Sequence, residues 1–129
     1  MKTSWDPGAK ASFRQIARYI NSRFGRKTRQ KFIQEVKDME DNLKRTPNLG
    51  SIDPLFSDRP IAYRSVVING LSKMVYYVKD DTIRIAAFWD TRQEPNEQRD
   101  QTIARIESDE SRERKTEGQP AAQAEQVKE

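Results

Sequence analysis

The chain has 129 residues, of which 34% are apolar, with 24 lysines and arginines against 20 aspartates and glutamates and neither cysteine nor histidine. That length supports one small domain with a tail, and an apolar share below the roughly 45–50% of globular averages leaves part of the chain unpacked. Missing cysteine excludes a disulfide scaffold and thiolate metal sites. Missing histidine excludes a Ser/His triad, a zinc hydrolase and a histidine phosphotransfer site. Any chemistry must run on Arg, Lys, Tyr, Asp or Glu, and no cofactor and no metal are expected.

Charge is unevenly placed. Residues 1–95 carry 18 cations and 11 acids, a net +7, whereas residues 96–129 carry 6 and 9, a net −3. A basic body with a mildly acidic tail suits an anionic partner, nucleic acid or an acidic protein surface. No apolar run approaches the roughly 20 residues of a membrane span, and Met1 to Trp5 lead into polar sequence without a signal-peptide pattern. A cytoplasmic protein with no membrane partner is the expectation.

The first element is a helix opened by Asp6 and Pro7 and closed by Gly25. Between them Ala9, Phe13, Ile16, Ala17, Ile20 and Phe24 form one apolar stripe. A second helix runs from about Lys27 to Arg45 on Phe32, Val36, Met39 and Leu43, and Thr46-Pro47 stops it. The short turn between the two predicts an antiparallel helical hairpin. Pro47, Gly50, Pro54 and Pro60 mark an irregular crossing loop.

From Ala62 the apolar period changes to two. Ala62 to Ile68, Leu71 to Lys79 and Thr82 to Trp89 read as three antiparallel strands joined at Asn69-Gly70 and Asp80-Asp81. Lys2 to Trp5 is a candidate short fourth strand. The fold class is therefore α+β: an N-terminal helical hairpin on one face of an antiparallel sheet of three to four strands. If both turns are two-residue loops, Tyr63, Ser65, Val67, Met74, Tyr76, Val78, Ile83, Ile85 and Ala87 face the helices. Arg64, Val66, Lys73, Val75, Tyr77, Arg84 and Phe88 then form an open face of cations interleaved with aromatic and aliphatic groups. Such a face suits phosphate neutralisation beside base stacking, or docking of an amphipathic segment; each cation can equally be an ordinary surface residue. As acid/base machinery it is poor, since Tyr and Lys titrate near 10.

The chain divides into a domain over residues 1–95 and a charged tail over 96–129. Aromatic residues vanish from Asn96 onward. A short helix over Gln98 to Ile106 is expected, followed by disorder, because so little apolar surface cannot offset ordering entropy. One further feature is a run of eight cations, Lys10, Arg14, Arg18, Arg23, Arg26, Lys27, Arg29 and Lys31, with no acid between residues 7 and 34. It reads either as a solvated helix face or as the footprint of an anionic partner.

Trp5-Asp6-Pro7, the two helices, Tyr63-Arg64-Ser65, Met74-Val75-Tyr76-Tyr77-Val78, Ile83-Arg84-Ile85 and Asp90-Thr91-Arg92-Gln93-Glu94-Pro95 occur in an order that resembles the RelE/ParE superfamily of toxins from bacterial type II toxin–antitoxin modules. The resemblance covers about residues 3–95 and implies a plasmid-stabilisation-type toxin held inactive by a cognate antitoxin, with promoter DNA bound only through the antitoxin complex. It also implies Arg64, Lys73 and Arg92 as phosphate-contacting or target-binding cations beside Tyr77 and Arg84. RelE-like members cut mRNA on the ribosome; ParE-like members poison DNA gyrase. Lacking histidine, and lacking any tyrosine after Trp89, this sequence leans to the ParE-like reading. An endoribonuclease without histidine, or an inactive antitoxin-binding or repressor component, are the alternatives.

Overall fold

The computed structural model describes residues 1–92 and 95–115, with residues 109–115 by backbone alone. The elements follow one another as β1 (Lys2–Trp5), α1 (Pro7–Phe24), α2 (Arg26–Arg45), β2 (Ser51–Ile52), a 3₁₀ turn (Pro54–Phe56), β3 (Arg64–Ile68), β4 (Ser72–Lys79), β5 (Thr82–Asp90) and α3 (Pro95–Lys115). The sheet has five strands in the order β1-β5-β4-β3-β2, more than the three to four expected, because β1 adds in parallel to β5 and the two-residue β2 to β3. The expected α+β arrangement stands, with the helical hairpin on one face.

Gly25 alone separates α1 from α2. At φ 96° it closes the first helix with its N–H on the Asn21 carbonyl and starts the second, a conformation that side chains rarely adopt. The apolar stripes of both helices then meet the sheet around Phe88, whose ring lies edge-on to Phe13 and Phe32 at 5.5 and 5.9 Å. Leu43, Met74, Ile83 and Ile85 are fully buried in the same layer.

Two irregularities overturn the expected faces. In the β3–β4 hairpin, Asn69 and Gly70 both have positive φ as a tight turn requires, but pairing begins at Ile68 with Ser72. Leu71 is a third loop residue. Its carbonyl is taken by the N–H of Thr91 at 3.0 Å, which draws it out of the ladder. β3 is thus turned over: Val66 and Ile68 pack toward the helices, and Arg64 pairs with Tyr76 rather than Val75. The Asp80-Asp81 turn is a two-residue loop as expected, but Ala86 is an extra residue in β5, so Val75 pairs with Ala87 and Met74 with Phe88. Phe88 therefore belongs to the helix side, and Trp89 takes its place opposite Lys73.

The second face is not open either. Phe56, Tyr63, Val75, Ala87, Trp89 and Ile106 bury one another there, with Leu55, Tyr77 and Ile103 around them. The 3₁₀ turn and α3 supply the cover. The Arg99 guanidinium donates to the Leu55 carbonyl and pairs with Asp58, while Arg59 reaches Glu107 at 3.3 Å. The helix is longer than Gln98 to Ile106, running from Pro95 to Lys115; Thr102 and Ile106, one turn apart, are buried in it, and Glu107 beyond them is tied to Arg59. The disorder expected directly after Ile106 is overturned for residues 107–115, which continue the helix; the rest of that expectation falls on residues 116–129, outside the described residues.

Two measurements check this packing. Ile106→Ala should lower the urea-unfolding free energy by about 2–5 kcal/mol, as for other core truncations, whereas a free tail would give no change. Tyr76 is fully buried, accepts from the Gly50 N–H at 2.9 Å and donates to the Pro47 carbonyl at 2.7 Å. Burial raises its pKa above the usual 10, so its contribution to stability is complete below that value and is lost as pH rises beyond it. Tyr76→Phe should cost about 1–3 kcal/mol at neutral pH and should flatten the alkaline limb of a stability–pH profile.

Candidate functional site

The five candidate residues are spread over three environments. Arg64, at the start of β3, points to the helix side and clamps the loop after α2, donating to the Gly50 carbonyl at 2.7 Å and the Asn48 carbonyl at 3.5 Å. Gly50 is needed there: a Cβ would lie 2.7 Å from the Ser65 carbonyl and 2.9 Å from the Tyr76 ring. Lys73 lies on the opposite face. Its ammonium pairs with Asp53 Oδ2 at 2.8 Å and stands over the Trp89 ring at 5.2 Å. Asp53 is buried and its other oxygen accepts from the Leu55 N–H, so Lys73 anchors the 3₁₀ turn. A carboxylate so placed would be costly without its cation.

Tyr77 and Arg84 share Lys73's face, cross-strand neighbours four residues farther along, about 13 Å at strand rise. Tyr77 packs on Tyr63 with ring centroids 4.9 Å apart. Both Tyr77 and Arg84 are half-buried. Arg92 is the exposed member, at 69% for its side chain, held by a two-pronged contact with Asp90 at 3.0 and 2.6 Å. The guanidinium lowers the Asp90 pKa below the carboxylate range, chiefly through these hydrogen bonds. Asp90 with Arg92 is thus the salt-linked strand terminus; Gln93 and Glu94 lie outside the described residues. Lys73, Tyr77 and Arg84 share a face, whereas Arg64 and Arg92 stand apart from them.

A cleft of about 850 Å³ opens instead between the helical hairpin and the β3–β4 turn. Ile16, Tyr19, Ile20 and Phe24 of α1 form one wall, Thr28, Lys31, Phe32 and Glu35 of α2 another, and Leu71, Asp90 and Arg92 the rim opposite. Tyr19, Phe24 and Leu71 are 51, 62 and 55% exposed, so large apolar groups border the cleft without partners. Among them sits a half-buried acid, Glu35, whose Oε1 is itself buried and has no hydrogen-bond partner among the described residues. No group of three or more carboxylates converges among the described residues to hold a metal ion, and no described helix is long and apolar enough to cross a membrane.

Sequence reasoning placed Arg92 among the site candidates but missed the cleft. Tyr19 gave a signal, since it lies off the α1 stripe and an aromatic there has no core to enter. Leu71 gave none, because only the displaced register exposes it.

The arrangement is suited to binding. It offers an apolar trough with a half-buried carboxyl in its wall and a cation at its rim. Comparison with known proteins agrees with the fold. The chain is similar to a chain of the chromosomal ParDE TA system from P. aeruginosa, at 21% identity and a TM-score of 0.57, over 70% of this chain and 95% of that one. A comparison with curated proteins gives no match. The family model described as ParE toxin of type II toxin-antitoxin system, parDE, matches residues 3–95, ending where α3 begins. On that match over most of its length, the chain belongs to the ParE toxin family.

Proposed function

We propose that this chain is a growth-inhibiting toxin that acts in the cytoplasm by binding DNA gyrase, and that a cognate antitoxin neutralises it by laying a segment in the cleft. The observation that carries the choice is the dispersal of the candidate cations. Stabilising a transferring phosphate needs several donors converging on one site, yet Arg64 is spent on loop carbonyls and Lys73 on Asp53, on opposite sides of the sheet. A message-cutting reading would need both, and a proton-transfer partner besides. Arg92 remains the exposed cation, at the mouth of the cleft, and is the proposed target contact; Tyr77 and Arg84 are proposed as a secondary contact at the sheet's far end.

Neutralisation follows by overlap. An amphipathic segment can lay apolar side chains against Tyr19, Phe24 and Leu71, and one of its cations can satisfy Glu35. Bound there, it covers Arg92. Repression of the module's own promoter would run through the antitoxin of the same complex.

Induction without antitoxin should arrest growth with a DNA-damage response, and purified protein should inhibit gyrase supercoiling while leaving ribosome-bound message uncut in a primer-extension assay. Cut message with undiminished gyrase activity would favour the RelE-like alternative, and normal growth at confirmed expression an inactive component. Arg92→Ala should abolish arrest with stability within about 0.5 kcal/mol of the parent. Arg92→Lys should restore little, since a point charge does not reproduce a planar fork. Full toxicity of Arg92→Ala would remove this residue from the contact.

A further inference from the structure

The acid-free cation run becomes one continuous surface in the fold. Lys10, Arg14 and Arg18 follow one another at intervals of four along α1, about 6 Å per step. Arg23, Arg26 and Lys27 carry the charge around the Gly25 turn, and Lys31 continues it on α2. Arg18, Arg23, Arg26, Lys27 and Lys31 are all exposed.

Elsewhere several cations sit beside acids. Lys44 pairs with Asp41, Arg59 with Glu107, Lys73 with Asp53, Arg92 with Asp90, and Arg99 with both Asp58 and Asp100. None of the five exposed cations at the hairpin turn has such a partner among the described residues. Like charges this close repel, at a cost comparable to the few tenths of a kcal/mol that an opposite-charge pair contributes. Mixing one or two acids into the run would relieve it, as the second half of α2 does with Asp38 and Asp41.

We infer that the basic turn of the helical hairpin binds the phosphate backbone of duplex nucleic acid directly and without sequence preference. A duplex presents about one negative charge per 1.7 Å of its axis, a density that a row of unpaired cations matches and a mixed-sign protein surface does not. Flexible Arg and Lys side chains on a helix end make backbone contacts rather than base readout. DNA and RNA duplexes share this chemistry. The contact borders the cleft at Lys31 and does not rest on gyrase being the target.

Anisotropy titrations of the full chain with fluorescein-labelled DNA and RNA duplexes of one sequence, from about 50 to 200 mM salt, test it. Affinity should be of micromolar order at low salt and fall linearly on a log–log plot, with a slope of about −0.9 for each phosphate contacted. Arg18→Gln/Arg23→Gln/Lys27→Gln should weaken binding at least tenfold and flatten the slope. Arg18→Lys/Arg23→Lys, with Lys27 kept, should retain it, because backbone neutralisation needs charge and not a fork. Lys37→Gln/Lys44→Gln, on the mixed-sign part of α2, should match the parent. Equal binding of both duplexes supports the shared backbone chemistry, and binding of one alone identifies the source. No binding at 50 mM salt, an unchanged affinity in the Gln triple variant, or equal affinity for polyglutamate, which would point to an acidic protein partner, overturns the inference.

Discussion

Which side chains this protein can offer to a partner depends on two residues that break the regularity of its sheet. Leu71 lengthens the β3–β4 loop by one, and Ala86 inserts one residue into β5. Because strand side chains alternate with period two, each insertion exchanges the faces of everything beyond it. The first sends Arg64 and Val66 toward the helices and leaves Tyr63 beside Tyr77. The second drives Phe88 into the cluster with Phe13 and Phe32 and brings Trp89 over to cover Lys73. With both irregular, two aromatic cores form, one on either side of a shared sheet, the second closed by the 3₁₀ turn and α3.

This explains what could be read from the residues alone. The helices were legible to within a residue, because Pro7, Gly25 and Pro47 bound apolar stripes of unmistakable 3.6 period. The strands and the Asp80-Asp81 turn were legible as well. The loop at Asn69-Gly70 was legible in kind but not in length: Asn-Gly dictates the positive φ pair, whereas the exclusion of Leu71 is caused by Thr91, twenty residues later in sequence. Ala86 carries no local mark, being a small residue within an otherwise apolar run. Arg64 inherited the first displacement and Phe88 the second, whereas Lys73, Tyr77 and Arg84, lying between the two irregularities, kept the face expected of them. The helix α3 was underestimated for a different reason. Its few aliphatics looked too sparse to dock, but Ile103 and Ile106 meet a surface already rich in rings, and Arg99 fastens the start of the helix to Leu55 and Asp58.

The covered face also redistributes the molecule's charge. Of the cations that seemed grouped for chemistry, Lys73 and Arg92 are paired with Asp53 and Asp90 and Arg64 is spent on loop carbonyls, while a cluster of exposed cations without acid partners among the described residues lies at the hairpin turn, at the far end of α1 from Pro7. Binding through surface charge and binding through apolar contact thus occupy neighbouring but distinct regions: the convex basic turn and the concave trough beside it, with Lys31 at their border.

The buried oxygen of Glu35 bears on how partners are told apart. An apolar trough accepts any segment of suitable shape and discriminates weakly between related ones. A carboxyl on the same wall as Phe32, with one oxygen buried and unpartnered among the described residues, changes this, because a segment lacking a donor opposite it would seal that polar group away from water without compensation, at about 1–3 kcal/mol. Selectivity would then arise from rejection: a cell holding several similar modules keeps their components from crossing over by making the wrong pairing costly, while the right one need bind no more tightly than its task requires.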